Sequence, residues 1–246
     1  MQIIRETINC RQLLQHKNSK RVNPFNLVKC TFDYTHTDDK RILDTVIQKG
    51  KAMSIHVNKG AANDASYARN ANRLVNNCVA GMLAEYTWKS VLNEVSEVVK
   101  ETPFSSANNQ IDLQIIKNNK TIEVRSSFPR NGIEFAICHS NCEFDIIGPY
   151  ANSYKRGEIQ KDFYVRTLFP FQSRLLLDNI RKTPFNVYLT GGATWEMMIN
   201  DAYSKAKDFI PEDEMNLSRL TTKTHYRVVP FSNALDTNEM YNVITN

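Results

Sequence analysis

The stretch that most constrains this fold is Gln110 to Arg125, QIDLQIIKNNKTIEVR. It reads as two short strands joined at Asn118-Asn119, because alternating apolar residues on either side of a polar pair are a hairpin signal. With that pair as the turn, Lys117 faces Lys120, Ile115 faces Ile122, Gln114 faces Glu123 and Asp112 faces Arg125. A four-residue loop keeps the same pairing. Successive side chains on a strand point to opposite faces. Ile111, Leu113, Ile115, Ile122 and Val124 therefore share one face, and Asp112, Gln114, Glu123 and Arg125 share the other. Two carboxylates and a cation converge on the polar side of a hairpin whose other side is apolar. A half-solvated amphipathic hairpin has the same pattern.

The residues before the hairpin supply a third acid. Asn63-Asp64 can cap a helix from Ala65 to about Lys100, broken once near Gly81. Leu74, Cys78, Gly81, Glu85, Trp88 and Leu92 follow helical spacing, and Val75, Val79, Met82 and Tyr86 widen the stripe. Glu85 thus lies within an apolar face. A buried carboxylate is unfavourable unless paired, hydrogen-bonded or on a metal. A salt bridge to Lys89, one turn on, is the simpler reading.

Elsewhere the pattern predicts a short helix over Thr7–Gln15, a strand over Leu27–Tyr34, and a helix from Asp38 or Asp39 closed by Gly50. Met53–Val57 reads as a strand. After the hairpin come a loop over Ser126–Gly132, a strand over Ile133–Cys138, and an apolar run, Phe144–Tyr150, that suits a central buried strand. A strand over Phe163–Phe169, a helix over Gln172–Arg181 and a strand over Phe185–Leu189 follow. Gly191-Gly192 then turns tightly into a helix to about Phe209; a phosphate-binding role is less favoured, because the Walker and dinucleotide spacings are absent. Pro211–Thr224 is polar, Tyr226–Phe231 is a late strand, and the tail is polar. The class is α/β: a mixed central sheet of about five strands flanked by helices. Residues 61–190 form its core. Residues 1–60 and 191–246 elaborate it within one compact domain.

Composition excludes little. With 41% hydrophobic and 23% charged residues among 246, the chain is ordinary for a soluble protein. It has no apolar run long enough for a membrane span, and its N-terminus is too polar for a signal peptide. Cys10, Cys30, Cys78, Cys138 and Cys142 make an odd count without a secretion signal, which predicts reduced thiols in a cytosolic protein. Cys138-His139-Ser140-Asn141-Cys142 lacks the second ligand pair of a zinc site. The net charge of +5 permits a polyanionic partner without requiring one. The clusters Lys17–Arg21 and Lys155-Arg156 read as solvated surface ahead of binding patches.

An acid on a helix, an Asp on the next strand and Glu-x-Arg on the strand after it give the chain its one family likeness. It resembles the PD-(D/E)XK nuclease superfamily, which contains many type II restriction endonucleases. That family carries an acid on its first core helix, an Asp on the next strand and Glu-x-Lys on the one after. Here these are Glu85, Asp112 and Glu123-Val124-Arg125, with ten residues between Asp112 and Glu123, within roughly residues 65–190. The resemblance implies a restriction-endonuclease-like core. It also implies a cytoplasmic Mg²⁺-dependent endodeoxyribonuclease, with Mn²⁺ as a substitute metal, cutting double-stranded DNA as a homodimer, since two-fold symmetry matches a palindromic site. Asp112 and Glu123 would be the metal ligands, Glu85 an auxiliary acid that completes the site or holds a water, and Arg125 the stabiliser of phosphate charge. Candidate DNA contacts are the Asn152–Lys161 loop, with Lys155, Arg156 and Lys161, and, apart from it, Arg130. Two positions depart from the family pattern. Ile111 stands where the family has proline, which matters little. Arg125 stands where it has lysine, and arginine is a poor proton acceptor. Arg125 would then be an electrostatic group with metal-bound water ionising without a lysine base, or Lys89 or Lys161 would fill the lysine's role, or the site is degenerate and only binds DNA. Other readings are an inactive DNA-binding or assembly subunit, a nuclease for repair or modified DNA, and an ion-pair network without chemistry.

Overall fold

Phe163–Leu168 is buried at every position, so it needs neighbours on both edges and cover on both faces. The computed structural model of the chain describes residues 1–10, 24–57, 70–103, 110–139, 145–151, 157–182, 184–209 and 224–246. Its strands are β1 (Gln2–Ile8), β2 (Phe25–Phe32), β3 (Val99–Glu101), β4 (Leu113–Ile115), β5 (Thr121–Ser127), β6 (Asp145–Ala151), β7 (Phe163–Leu168), β8 (Phe185–Thr194), β9 (Lys205–Phe209) and β10 (Thr224–Pro230). The helices, labelled in chain order, are α1 (Thr37–Ser54), α2 (Ala71–Leu92), α3 (Ile133–Cys138), α4 (Leu176–Lys182), α5 (Trp195–Ile199) and α6 (Thr237–Thr245). A seven-stranded mixed sheet runs β1-β2-β8-β7-β5-β4-β3, and a three-stranded sheet runs β6-β10-β9. Only the β5–β7 pair is parallel within these sheets.

The large sheet separates two apolar layers. Ile122 and Val124 of β5 and Val165 of β7 join α1, α2, α4 and α6 in one of them. Tyr164 and Leu168 of β7 join α3, α5 and residues of β6 and β10 in the other. Strand alternation therefore turns Glu123 and Arg125 toward the small sheet. Residues before 60 supply β1 and β2, and α6 packs on β8 and β2. The two ends of the chain are thus part of the same sheet and its cover. Among the described residues no helix is long and apolar enough to cross a membrane.

Several expectations are corrected. Thr7 and Ile8 belong to β1, where they pair with Asn26 and Phe25; residues 11–15 of the expected helix lie outside the described residues. Helix α1 continues through Gly50 and includes Met53; the glycine serves a close helix crossing and not a stop, since a Cβ there would sit 2.6 Å from Val79 Cγ2. Helix α2 starts at the Asn70 cap, whose side chain accepts from Arg73 N at 2.8 Å, and runs unbroken through Gly81. It stops at Asn93, whose amide accepts from Val98 and Val99 N–H and donates to Val99 O, turning the chain into β3. The expected Asn63-Asp64 cap lies outside the described residues. Ile133–Cys138 is a helix, and β6 lies at the edge of the small sheet and not at the centre of the large one. The Gly191-Gly192 pair stays within β8, and the helix after it ends at Ile199. The polar tail forms α6, started by a reciprocal capping box of Asp236 and Glu239. Cys10 and Cys138 are joined in a disulfide across a separation of 128 residues, where the sequence predicts reduced thiols. Both residues are buried in the layer that holds α3 and meet there.

Candidate active site

The hairpin forms with the expected faces and a different register. Leu113 pairs with Ile122 and Gln114 with Thr121, and Ile115 N donates to Lys120 O at 2.8 Å. The turn is closed by Asn119, at φ 60, and by Asn118, whose side chain accepts from Lys120 N. Each partner has moved by two residues, so the faces are unchanged. Continued by one residue, this register sets Asp112 beside Glu123, where the sequence placed it opposite Arg125. The ladder itself stops at Leu113. Beyond it the Asp112 carboxylate accepts from Val124 N–H at 2.7 Å, so a side chain replaces main chain as the partner. The strands part at the acids.

Glu123 is held at both oxygens. Arg125 Nη2 lies 3.1 Å from Oε1 and Lys161 Nζ lies 3.2 Å from Oε2. Lys161 is 2% exposed at its side chain and also donates to Gln110 O. Its backbone is fixed by Tyr164, whose hydroxyl accepts from Lys161 N at 2.9 Å. Asp162 clamps the start of β5 through Thr121 N and Oγ1 at 2.8 and 2.9 Å. The parallel β5–β7 pairing, Ile122 with Phe163, brings the Lys161 end of this segment to the acids. Lys89 is not available for that position, because it pairs with Glu101 at 3.0 Å. This also removes the simple Glu85–Lys89 bridge.

Like charge is concentrated here. Burial, the Glu123 charge and incomplete compensation by Val124 N–H, Arg125 and Lys161 push the Asp112 carboxyl up to about 8. Burial and the charges of Asp112, Glu101 and Glu123 hold Glu85 of α2 well above the usual carboxylate range. Burial disfavours charge on Arg125, and Glu123 and Glu158 more than offset it, holding the guanidinium in its charged form. The pH consequence is definite. Asp112 binds its proton more tightly folded than unfolded, so without a divalent ion stability falls as pH rises from about 4 to about 8. Thermal melts in chelator across that window should show the decline, and a flat profile would contradict the raised carboxyl.

Of the expected residues, Asp112, Glu123, Arg125 and Lys161 come together, and Glu85 is close enough for its charge to be felt. Arg130 does not join them. It is exposed on the turn after β5, beyond Ser127, which alone is about 13 Å along the strand from Glu123. Lys155 and Arg156 lie outside the described residues. Sequence reading missed Glu158 and Tyr150. Glu158 pairs with Arg125 Nη2, and the Tyr150 ring lies 5.0 Å from the Arg125 Cζ. Neither has a local spacing signal, because both reach Arg125 through tertiary pairing.

Among the described residues no three His, Cys, Asp or Glu side chains stand together as a ready-made metal cage. Mg²⁺ does not need one, since it is commonly held by one or two carboxylates, waters and substrate phosphate. Asp112 and Glu123, two crowded carboxylates, fit that donor set. No family model, no curated protein and no solved structure matches this chain.

Proposed function

We propose that the chain is a Mg²⁺-dependent endodeoxyribonuclease with a restriction-endonuclease-like core, in which α2 carries Glu85 and the β3–β4–β5 meander carries Asp112 and Glu123. The observation that carries this reading is the buried Lys161 ammonium, 3.2 Å from Glu123 and on the same site as Asp112. A lysine from the segment before β7 thus serves where the family pattern has one two residues after the second acid. Asp112 and Glu123 would hold Mg²⁺, with Mn²⁺ as substitute; such an ion supplies Lewis acidity and water activation. The chain's own groups do the rest. Lys161 is anchored by Gln110 O and Glu123, so its ammonium is oriented before substrate arrives and stabilises charge on the phosphate. Val124 N–H orients Asp112. Glu85, whose carboxyl burial and the neighbouring acids hold well above the usual range, would complete the site or hold a water beside the ion. Double-stranded DNA is the substrate, and a homodimer would place one such site on each strand.

Plasmid nicking tests the reading. Supercoiled DNA should be relaxed or linearised with Mg²⁺ or Mn²⁺ and left intact in chelator, and Lys161→Met should slow nicking about 10²-fold. Intact plasmid under every metal condition would end the enzyme reading. The engagement of both Glu123 oxygens by Arg125 and Lys161 favours the second reading, a nuclease-like DNA-binding subunit. That reading predicts plasmid retention in a mobility shift with no nicking.

A further inference from the structure

Arg125 is the residue at which the chain departs from the family pattern, and its surroundings give it a definite place. One nitrogen, Nη2, meets two carboxylates: Glu123 Oε1 at 3.1 Å and Glu158 Oε2. The guanidinium carbon stands 5.0 Å from the centroid of Tyr150, on β6. The Glu158 side chain is 6% exposed and that of Arg125 19%. Glu158 belongs to the segment that three residues later delivers Lys161, the other cation on Glu123. The order in space is Glu158, Arg125, Glu123, Lys161, with alternating charge. Glu123 is gripped from both sides, and each grip is anchored behind: Lys161 by Gln110 O, Arg125 by Glu158 and the Tyr150 face.

We propose that Glu158 is a positioning residue of this site. It holds Arg125 against Glu123, so that the Glu123 carboxylate is presented beside Asp112 for a divalent ion, and Arg125 acts on Glu123 and not on substrate phosphate. The assignment rests on the metal-site reading above. Charge alone does not explain the pair. A lysine at 125 would carry the same charge, but an ammonium on a flexible stem lacks the planar guanidinium that lies against the Tyr150 face while its Nη2 meets both acids.

The experiment is a double-mutant cycle on Mn²⁺ affinity without DNA, using Glu158→Gln, Arg125→Lys and both together. Each single change should weaken Mn²⁺ binding about five-fold or more, and the double should be no weaker than the worse single, as for residues acting as a unit. Independent, multiplicative losses would overturn the proposal. DNA binding in chelator supplies a second arm. Arg125→Gln should leave the slope of log affinity against log salt unchanged; a slope lower by about 0.9 would mean that Arg125 neutralises a phosphate. Glu158→Gln should not tighten DNA binding, and tightening would make Glu158 a competitor of phosphate instead. If the wild type binds no Mn²⁺, the metal-site reading fails. A crystal structure of Glu158→Gln then decides the positioning alone. Displacement of Glu123 supports it, and an unchanged Arg125–Glu123 contact overturns it.

Discussion

Asp112→Asn is expected to slow plasmid nicking by about 10³-fold or more, the scale of losing several kcal/mol of transition-state stabilisation, while making the metal-free protein more stable at alkaline pH. The two effects have one origin. Asparagine has the same shape and keeps an acceptor for Val124 N–H, so the strand junction is preserved. It removes a charge that burial and Glu123 oppose. The pH-dependent decline in melting temperature of the metal-free wild type should flatten in the variant. A residue that serves only an ion-pair network gives the opposite pattern, because breaking a buried pair is destabilising. Rates on supercoiled plasmid and melts in chelator at two pH values check both. Unchanged nicking, or a variant that melts lower at high pH, would remove Asp112 from the centre of the site.

The second large effect is on the fold. Gly191→Ala should destabilise the protein by about 4 kcal/mol, which for a chain of this size lowers the melting temperature by roughly 10 °C. Gly191 has φ 73, and a Cβ there would lie 2.0 Å from Leu235 O. That carbonyl cannot yield cheaply. Leu235 and Gly192 exchange two backbone hydrogen bonds of 2.9 Å. The next residue, Asp236, caps α6 and accepts from Asn26 N and Nδ2 on β2. Gly132→Ala is the control. Gly132 also has positive φ, at 87 with ψ 172, but a Cβ there meets nothing within 4 Å, so a conformational penalty of about 2 kcal/mol without a clash is expected. Equal melting temperatures for the two variants would show that the close approach carries no weight.

The sequence is a good guide where a period is strict and poor where partners are distant. Strand parity put Asp112 and Glu123 on one face, and that survives a register two residues from the one expected, since only an odd slip exchanges faces. The fully buried run Phe163–Leu168 was legible as a strand from its apolar and aromatic content. Ile133–Cys138 was not, because six mostly apolar residues fit a strand or a buried helical turn equally well. Gly50 and Gly191-Gly192 read as stops and turns, and in each case another element approaches too closely for a side chain. That requirement lies in Val79, Tyr164 and Leu235, far along the chain. The lysine on Glu123 was one of two candidates. The β5–β7 pairing selects Lys161, and Glu101 takes Lys89. Glu158 was invisible for the same reason, because its place depends on a sheet order that no local pattern encodes.

The alternating row of side chains around Glu123 also carries a charge balance. Glu85, Asp112, Glu123 and Glu158 would carry four negative charges when fully ionised, and Arg125 and Lys161 carry two positive ones. The remainder, two negative charges, equals the charge of one divalent ion. On the metal-site reading, one such ion would displace the protons that burial holds on Asp112 and Glu85 and balance that remainder. A second would need its own counter-charge, which the phosphate of a bound nucleic acid supplies.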